Sequence, residues 1–152
     1  MTTLPDLTRM LPEIRKHRAK WAKAPRPAVI DPVGPGEESV WDFPRPPRVE
    51  AVAETLRVEF GGETVAETAR GLRIVETAGA PGYYFPPDDV VQDRLQPVPD
   101  HWTLCEWKGA AVYFDLAVGA RRSAQAAFAY PEPLDDLSQG YARIAGWIAF
   151  NA

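Results

Sequence analysis

Sixteen prolines in 152 residues constrain this chain more than any other feature of its sequence. Proline fixes its own φ and donates no backbone hydrogen bond, so helices are held to short pieces and many strand ends are marked. Between Pro25 and Pro47 the prolines are too dense for any regular element. APRPAVIDPVGPGEE reads as an extended arm. SVWDFPRPPRVE then sets Trp41 and Phe43 among prolines, as aromatic anchors that would pin the arm to a folded body.

One helical pattern precedes the arm. Leu7, Leu11, Ile14, Arg18 and Trp21 recur at spacings of three and four and share a face. Pro12 suits a helix start and Glu13 suits its first turn, so the sequence predicts a helix over about 12–23, with 7–11 as a preceding turn. The basic run of Arg15, Lys16, Arg18, Lys20 and Lys23 reads as a solvated face, and His17 as a solvent-facing or packing residue.

From Arg48 onward the pattern is that of strands. LRVEF at 56–60 alternates in period two, Gly61-Gly62 is a hairpin turn, and ETVAET at 63–68 is the returning strand. In GLRIVET, Glu76 continues the apolar face of Leu72 and Ile74, and a carboxylate there needs a partner or a wet cleft. YYF at 83–85 is a short strand, and PPDDVVQDRL holds one or two helical turns, with Asp88 and Asp89 in the first. Beyond a loop through Pro97 and Pro99, strands over about 102–107 and 110–118 are broken by Lys108-Gly109. Val112, Phe114 and Leu116 face one way there, and Tyr113 and Asp115 the other. AQAAFAY is a further strand, PEPLDDLSQG a polar excursion, and ARIAGWIAFN a closing apolar strand. The chain thus reads as mainly β, one domain over 48–152 behind a helix and a proline-rich arm over 1–47.

The formal charge of −4 argues against nucleic acid or an anionic membrane as partner, since both require a concentrated positive surface. No segment approaches a membrane span in length, and MTTLPDLTRM lacks the basic start and apolar centre of a signal peptide, so a cytoplasmic location is the default expectation. The single cysteine, Cys105, excludes an intrachain disulfide and any zinc site built from several thiolates, and His17 and His101 form no metal motif. Neither a nucleophile triad nor a complete phosphate loop occurs, and no cofactor is implied.

The chemistry-bearing residues gather around TLCEWKGAAVYFD at 103–115. Glu76, Cys105, Lys108 and Asp115 are the catalytic candidates, and Tyr84, Asp89, Lys108 and Tyr113 the ligand-binding ones. A nearby ammonium would lower the pKa of a Cys105 thiol. Residues three apart on a strand point to opposite faces, however, so only a bulge or turn at Trp107–Gly109 would join Cys105 to Lys108, and a buried, inert thiol is the favoured reading. Lys108 reads first as a turn lysine. Glu76 and Asp115 would serve as acid and base if a cleft joined them, and Asp115 would equally balance Arg121 or Arg122 on the surface.

Several uncommon words occur here in one order: SVWDFPRPPRVE, FGG, IVET, YYFP, CEWKG, YFDL, AFAYPEP and IAGWIAF. With them, residues 39–151 resemble the domain-of-unknown-function family 427 (DUF427). That resemblance implies a compact, strongly bent sheet of the β-tent type. Relatives in the wider β-tent group hold zinc through four cysteines, a site this chain's one cysteine does not carry over. The family's recurring residues map here to Glu76, Tyr84, Pro86, Asp89, Cys105, Lys108, Gly109, Tyr113, Tyr130, Pro131 and Phe150, with no assigned reaction. The nucleotidyltransferase-like label that the family sometimes carries calls for paired aspartates and a glycine-serine element, which these recurring residues do not supply. Phe128 stands where family patterns often have tryptophan. Longer members look as if they continue past IAF, whereas this sequence ends at Ala152, and a terminal apolar strand on a sheet edge would invite pairing with a second copy.

Three functional readings follow. The first is a small-molecule binding domain, extending to an enzyme acting on an anionic ligand, with Lys108, Tyr84 and Glu76 lining a cleft. The second is a protein-interaction or homodimeric assembly module that uses the arm and the terminal strand. The third is a thiol-dependent enzyme using Cys105.

Overall fold

Alternation of side chains along short strands builds this protein as a sheet with two apolar faces. The structure, a computed structural model, describes residues 2–151, so Met1 and Ala152, the outer bounds of the two predicted segments, lie outside it. Helix α1 (Leu7–Ala22) comes first, and after the arm follow β1 (Arg48–Ala51), β2 (Leu56–Phe60), β3 (Glu63–Thr68), β4 (Leu72–Val75) and β5 (Gly82–Phe85). Two 3-10 turns, Pro87–Asp89 and Gln92–Arg94, lead into β6 (Leu95–Cys105), β7 (Gly109–Val118) and β8 (Arg121–Ala129). A last 3-10 turn, Tyr141–Ile144, precedes β9 (Ile148–Phe150).

Seven strands form one antiparallel sheet in the order β1-β4-β5-β9-β8-β7-β6, and β2 and β3 pair as a separate hairpin. That hairpin has the predicted bounds, with Gly61 and Gly62 at φ +60° and +82°, where a side chain would be strained. It covers one face of the sheet, where Val65 and Ala66 pack with Phe85, Leu116, Ala127 and Ile148. One residue along each strand the side chains point the other way. Tyr84, Tyr130 and Ala149 there join Ile74, Trp107 and Ile144 in a second apolar cluster. The candidate site is built on this second face.

The arm is tied down as its aromatic content predicts. Phe43 is buried, Ala78 N–H donates to Val40 O at 2.9 Å, and Tyr141 Oη donates to the carbonyl of the fully buried Pro47 at 2.7 Å. These bonds hold the end of the arm against the loop that follows β4 and against the last 3-10 turn.

Three local expectations change. The helix begins at Leu7, with Pro12 inside it. An interior proline forfeits one intrahelical bond, but the Asp6 carboxylate caps Thr8 N–H at 3.1 Å and Leu7 is half-buried beside Gly109. Packing of the first turns therefore outweighs the lost bond. Pro97 and Pro99 lie within β6 rather than in a loop. This strand is an edge, where a missing N–H breaks no ladder on the open side, and its register shifts between Pro97 and Trp102. Finally, β9 is interior, paired to β5 on one side and β8 on the other. The terminal apolar strand thus finds its partners inside its own sheet and offers no open edge to a second copy. No helix among the described residues is long and apolar enough to cross a membrane.

Candidate ligand cleft

Cys105 and Gly109 pair directly across β6 and β7, so Glu106, Trp107 and Lys108 form the tight turn between them. Gly109 makes the turn possible at φ +103°. A Cβ there would stand 3.1 Å from Leu7 Cδ1 and 3.2 Å from the Leu134 backbone nitrogen. The turn sends Trp107 into the core and folds Lys108 over the Tyr130 ring, its Nζ 5.3 Å from the centroid. It also gathers Cys105 and Lys108 at one place, with Lys108 N–H donating to Cys105 Sγ at 3.5 Å. Cys105 itself is a free, half-buried thiol.

Lys108 lines a cleft of about 460 Å³ together with Glu76, Tyr84, Phe128, Arg45 and Trp21. Glu76 follows the last residue of β4 and prolongs the face of Leu72 and Ile74, which brings its carboxylate to the cleft rather than to the open surface. Tyr84 on β5 is buried and meets Phe128 edge-to-face at 6.2 Å. Phe128 in turn meets Tyr130 at 6.1 Å, which makes Phe128 the aromatic centre of this wall.

Burial sets the electrostatics. It pushes the Glu76 carboxyl above the ordinary range, with Lys108 and Arg45 pulling it down and Glu106 adding to the rise. Burial works against the Lys108 charge, but Tyr84, Cys105 and Glu76 around it together hold its pKa above the usual lysine value. The Tyr84 and Tyr130 hydroxyls are pushed up, chiefly by burial. At neutral pH the cleft therefore holds an ammonium set among neutral phenols, with the partly desolvated Glu76 carboxyl group nearby.

Two members of the cleft, Arg45 and Trp21, were not among the sequence's site candidates. Arg45 sits in the proline run, with Nη1 donating to Trp21 O and Nη2 to Thr77 O at 3.1 Å each, its Nε 3.7 Å from Glu76 Oε2. Its guanidinium also lies over the Trp21 ring, 5.4 Å from the centroid. Arm and helix thereby supply one lip of a cleft whose floor belongs to the sheet.

A family model described as "Domain of unknown function (DUF427)" matches residues 48–152. The chain belongs to that family. No curated protein matches it. Within the DUF427 domain lie Glu76, Tyr84, Cys105, Lys108, Phe128 and Tyr130, whereas Trp21 and Arg45 precede the matched residues.

The other candidates of this DUF427 member stand elsewhere. Asp115 accepts from the Gln125 backbone N–H at 2.8 Å and from Arg122 Nη2 at 2.5 Å, where the register of β7 and β8 shifts. These two partners, Gln125 first, hold its carboxyl below the ordinary range. It pairs with Arg122, one of the two arginines read as its balance, and is not among the cleft's lining residues. Asp89 receives the Thr68 hydroxyl at 2.6 Å and Arg70 Nε at 3.1 Å, which joins the turn after β5 to the end of β3. Tyr113 belongs to the same apolar face as Tyr84, but its hydroxyl bonds Thr103 Oγ1 at 2.7 Å and its ring lines a separate groove with Val98 and Phe114. Of the sequence candidates, the fold brings Glu76, Tyr84 and Lys108 together at the cleft, keeps Cys105 beside Lys108 outside its lining, and sets Asp89, Tyr113 and Asp115 apart.

Proposed function

We propose that this protein binds a small molecule in the Lys108 cleft, with the ammonium receiving an anionic group of the ligand. The observation that carries this reading is the position of Lys108, a half-buried lysine that lines a cleft beside Glu76, Tyr84 and Arg45. A charge held in a partly dry site attracts an opposite charge more strongly than an exposed one does. The cleft volume of about 460 Å³ is suited to small-molecule sites, which span about 300–1,000 Å³. Glu76 is positioned to orient the ligand or accept a proton from it, and Tyr84 to donate a hydrogen bond, so the reading extends to an enzyme acting on an anionic substrate. We place the protein in the cytoplasm on the same reading.

A thermal-shift screen against nucleotides, sugar phosphates, amino acids and common cofactors tests this, with Lys108→Ala as the control. A ligand that binds only the folded protein, at a hundred times its Kd, adds about 2.7 kcal/mol of stability. For a chain of this size that raises Tm by roughly 5–10 °C. The shift should disappear in Lys108→Ala. If no member of the screen shifts the native protein, the reading falls.

Cys105 supports a second reading, a thiol-dependent enzyme, because the turn sets its sulfur beside the backbone of Lys108, although Cys105 itself is not among the lining residues of the cleft. Rapid alkylation by iodoacetamide near neutral pH, slowed by a cleft ligand, would favour it. An unreactive thiol would exclude it. An assembly role has weaker support, since β9 lies inside the sheet and pairs on both sides.

A further inference from the structure

Two unlike charges face the cleft without meeting. Lys108 and Glu76 both line it and each influences the other's proton affinity, yet among the described residues the ion-pair contact of Glu76 is with Arg45. The Lys108 backbone N–H donates to Cys105 Sγ, and the ammonium's side-chain neighbour is the Tyr84 hydroxyl, a neutral group that leaves its charge without a carboxylate partner.

One buried donor close to Glu76 is also unpartnered. Arg45 Nε has no hydrogen-bond partner, because the guanidinium is aimed by its two terminal nitrogens at Trp21 O and Thr77 O. Charged and polar groups drawn partly out of water and left unpaired are costly, so a ligand that supplies their partners gains accordingly.

The sign of the groups narrows what such a ligand carries. An anion alone would satisfy Lys108 but would stand against Glu76 and the neighbouring Glu106, both at the cleft. A cation alone would satisfy Glu76 and stand against Lys108 and Arg45. A molecule bearing both charges answers both sides and adds no net charge to a partly desolvated site. Ile74 and Phe128 then offer an apolar surface to the rest of it.

We infer that the cleft takes a small zwitterion of the amino-acid type, its carboxylate at Lys108, its ammonium at Glu76 and an apolar side chain against Ile74 and Phe128. The inference rests on the reading of this cleft as a small-molecule site and names the class of ligand.

Calorimetric titration of the native protein near pH 7 tests it with two matched series. One is L-phenylalanine, 3-phenylpropionate and phenethylamine, and the other L-leucine, 4-methylpentanoate and 3-methylbutylamine. At least one amino acid should bind about tenfold or more tightly than both of its single-charge analogues, the difference made by one charge-assisted hydrogen bond. Glu76→Gln should erase the preference over the carboxylate analogue, and Lys108→Met should weaken amino acid and carboxylate alike. Equal binding of the carboxylate analogue overturns the zwitterion while leaving an anion site at Lys108 standing. Failure of both series, with an unrelated anion shifting the native protein and losing that shift in Lys108→Ala, overturns it in the same way. If neither these probes nor any anion binds, both readings fall. The comparison of probes on the native chain does not depend on either variant folding.

Discussion

Arg18 and Asp136 meet in a two-pronged ion pair, Nη1 to Oδ2 at 2.8 Å and Nη2 to Oδ1 at 2.9 Å, across the seam between α1 and the polar segment after β8. The arginine is 7% exposed, sends Nε to Glu106 O at 2.6 Å and lies over the Trp107 ring. Helix, polar segment and the Lys108 turn are therefore joined through one guanidinium.

Removing the acceptor should be the more damaging change. Asp136→Ala leaves a buried guanidinium without its carboxylate and should cost about 3 kcal/mol. Arg18→Met, which removes the buried charge and keeps the bulk, should cost less. Urea unfolding of both variants gives the comparison, and equal losses would count against a desolvated pair.

Acid should loosen the same seam. Arg18 holds the Asp136 carboxyl below the ordinary range, so the folded state binds its proton more weakly than the unfolded state does. The stability this contributes is complete above the ordinary aspartate value of about 3.9 and is lost as pH falls through the lower, folded value. Urea midpoints should decline more steeply below about pH 4 in the native protein than in Asp136→Asn.

Glu76 should give the opposite slope. Burial raises its pKa, so the folded state holds the proton more tightly, and stability falls as pH rises from about 4.3 through the raised value. Glu76→Gln, which is uncharged throughout, should flatten that part of the profile. A profile unchanged by this variant would show that the carboxylate is fully hydrated.

The turn below the cleft should tolerate no side chain at Gly109. Gly109→Ala meets both positive φ and close contacts with Leu7 and Leu134, whereas Gly62→Ala meets positive φ in open space. Each should destabilise within the range of about 1–3 kcal/mol for a strained residue, with Gly109→Ala at the upper end or beyond. Urea midpoints of the two variants test the order.

Asp115→Ala separates framework from site. It removes the acceptor for Gln125 N–H, in a residue at φ +50°, and should lower the urea midpoint. Affinity for any cleft ligand should be unchanged. A selective loss of binding without a loss of stability would return Asp115 to the site.

The hairpin over 56–68 was legible in the residues alone, because period-two alternation and a turn that needs positive φ are signals spent within a few positions. Glu76 was legible as a carboxylate prolonging an apolar face, and Cys105 with Lys108 as a pair needing a turn. The family words reached back to Arg45 but not to Trp21, and the matched residues begin only at Arg48, after both. What the sequence determined by itself was local: the strands, the turns and which side chains shared a face. Tertiary structure alone decided that Pro12 lies inside a helix, that β9 is interior, that Asp115 pins a bulge and that Arg45 and Trp21 close the cleft. Those outcomes depend on partners far along the chain, as Arg18 and Asp136 are at a separation of 118 residues, and no periodicity reports which distant group will replace lost water.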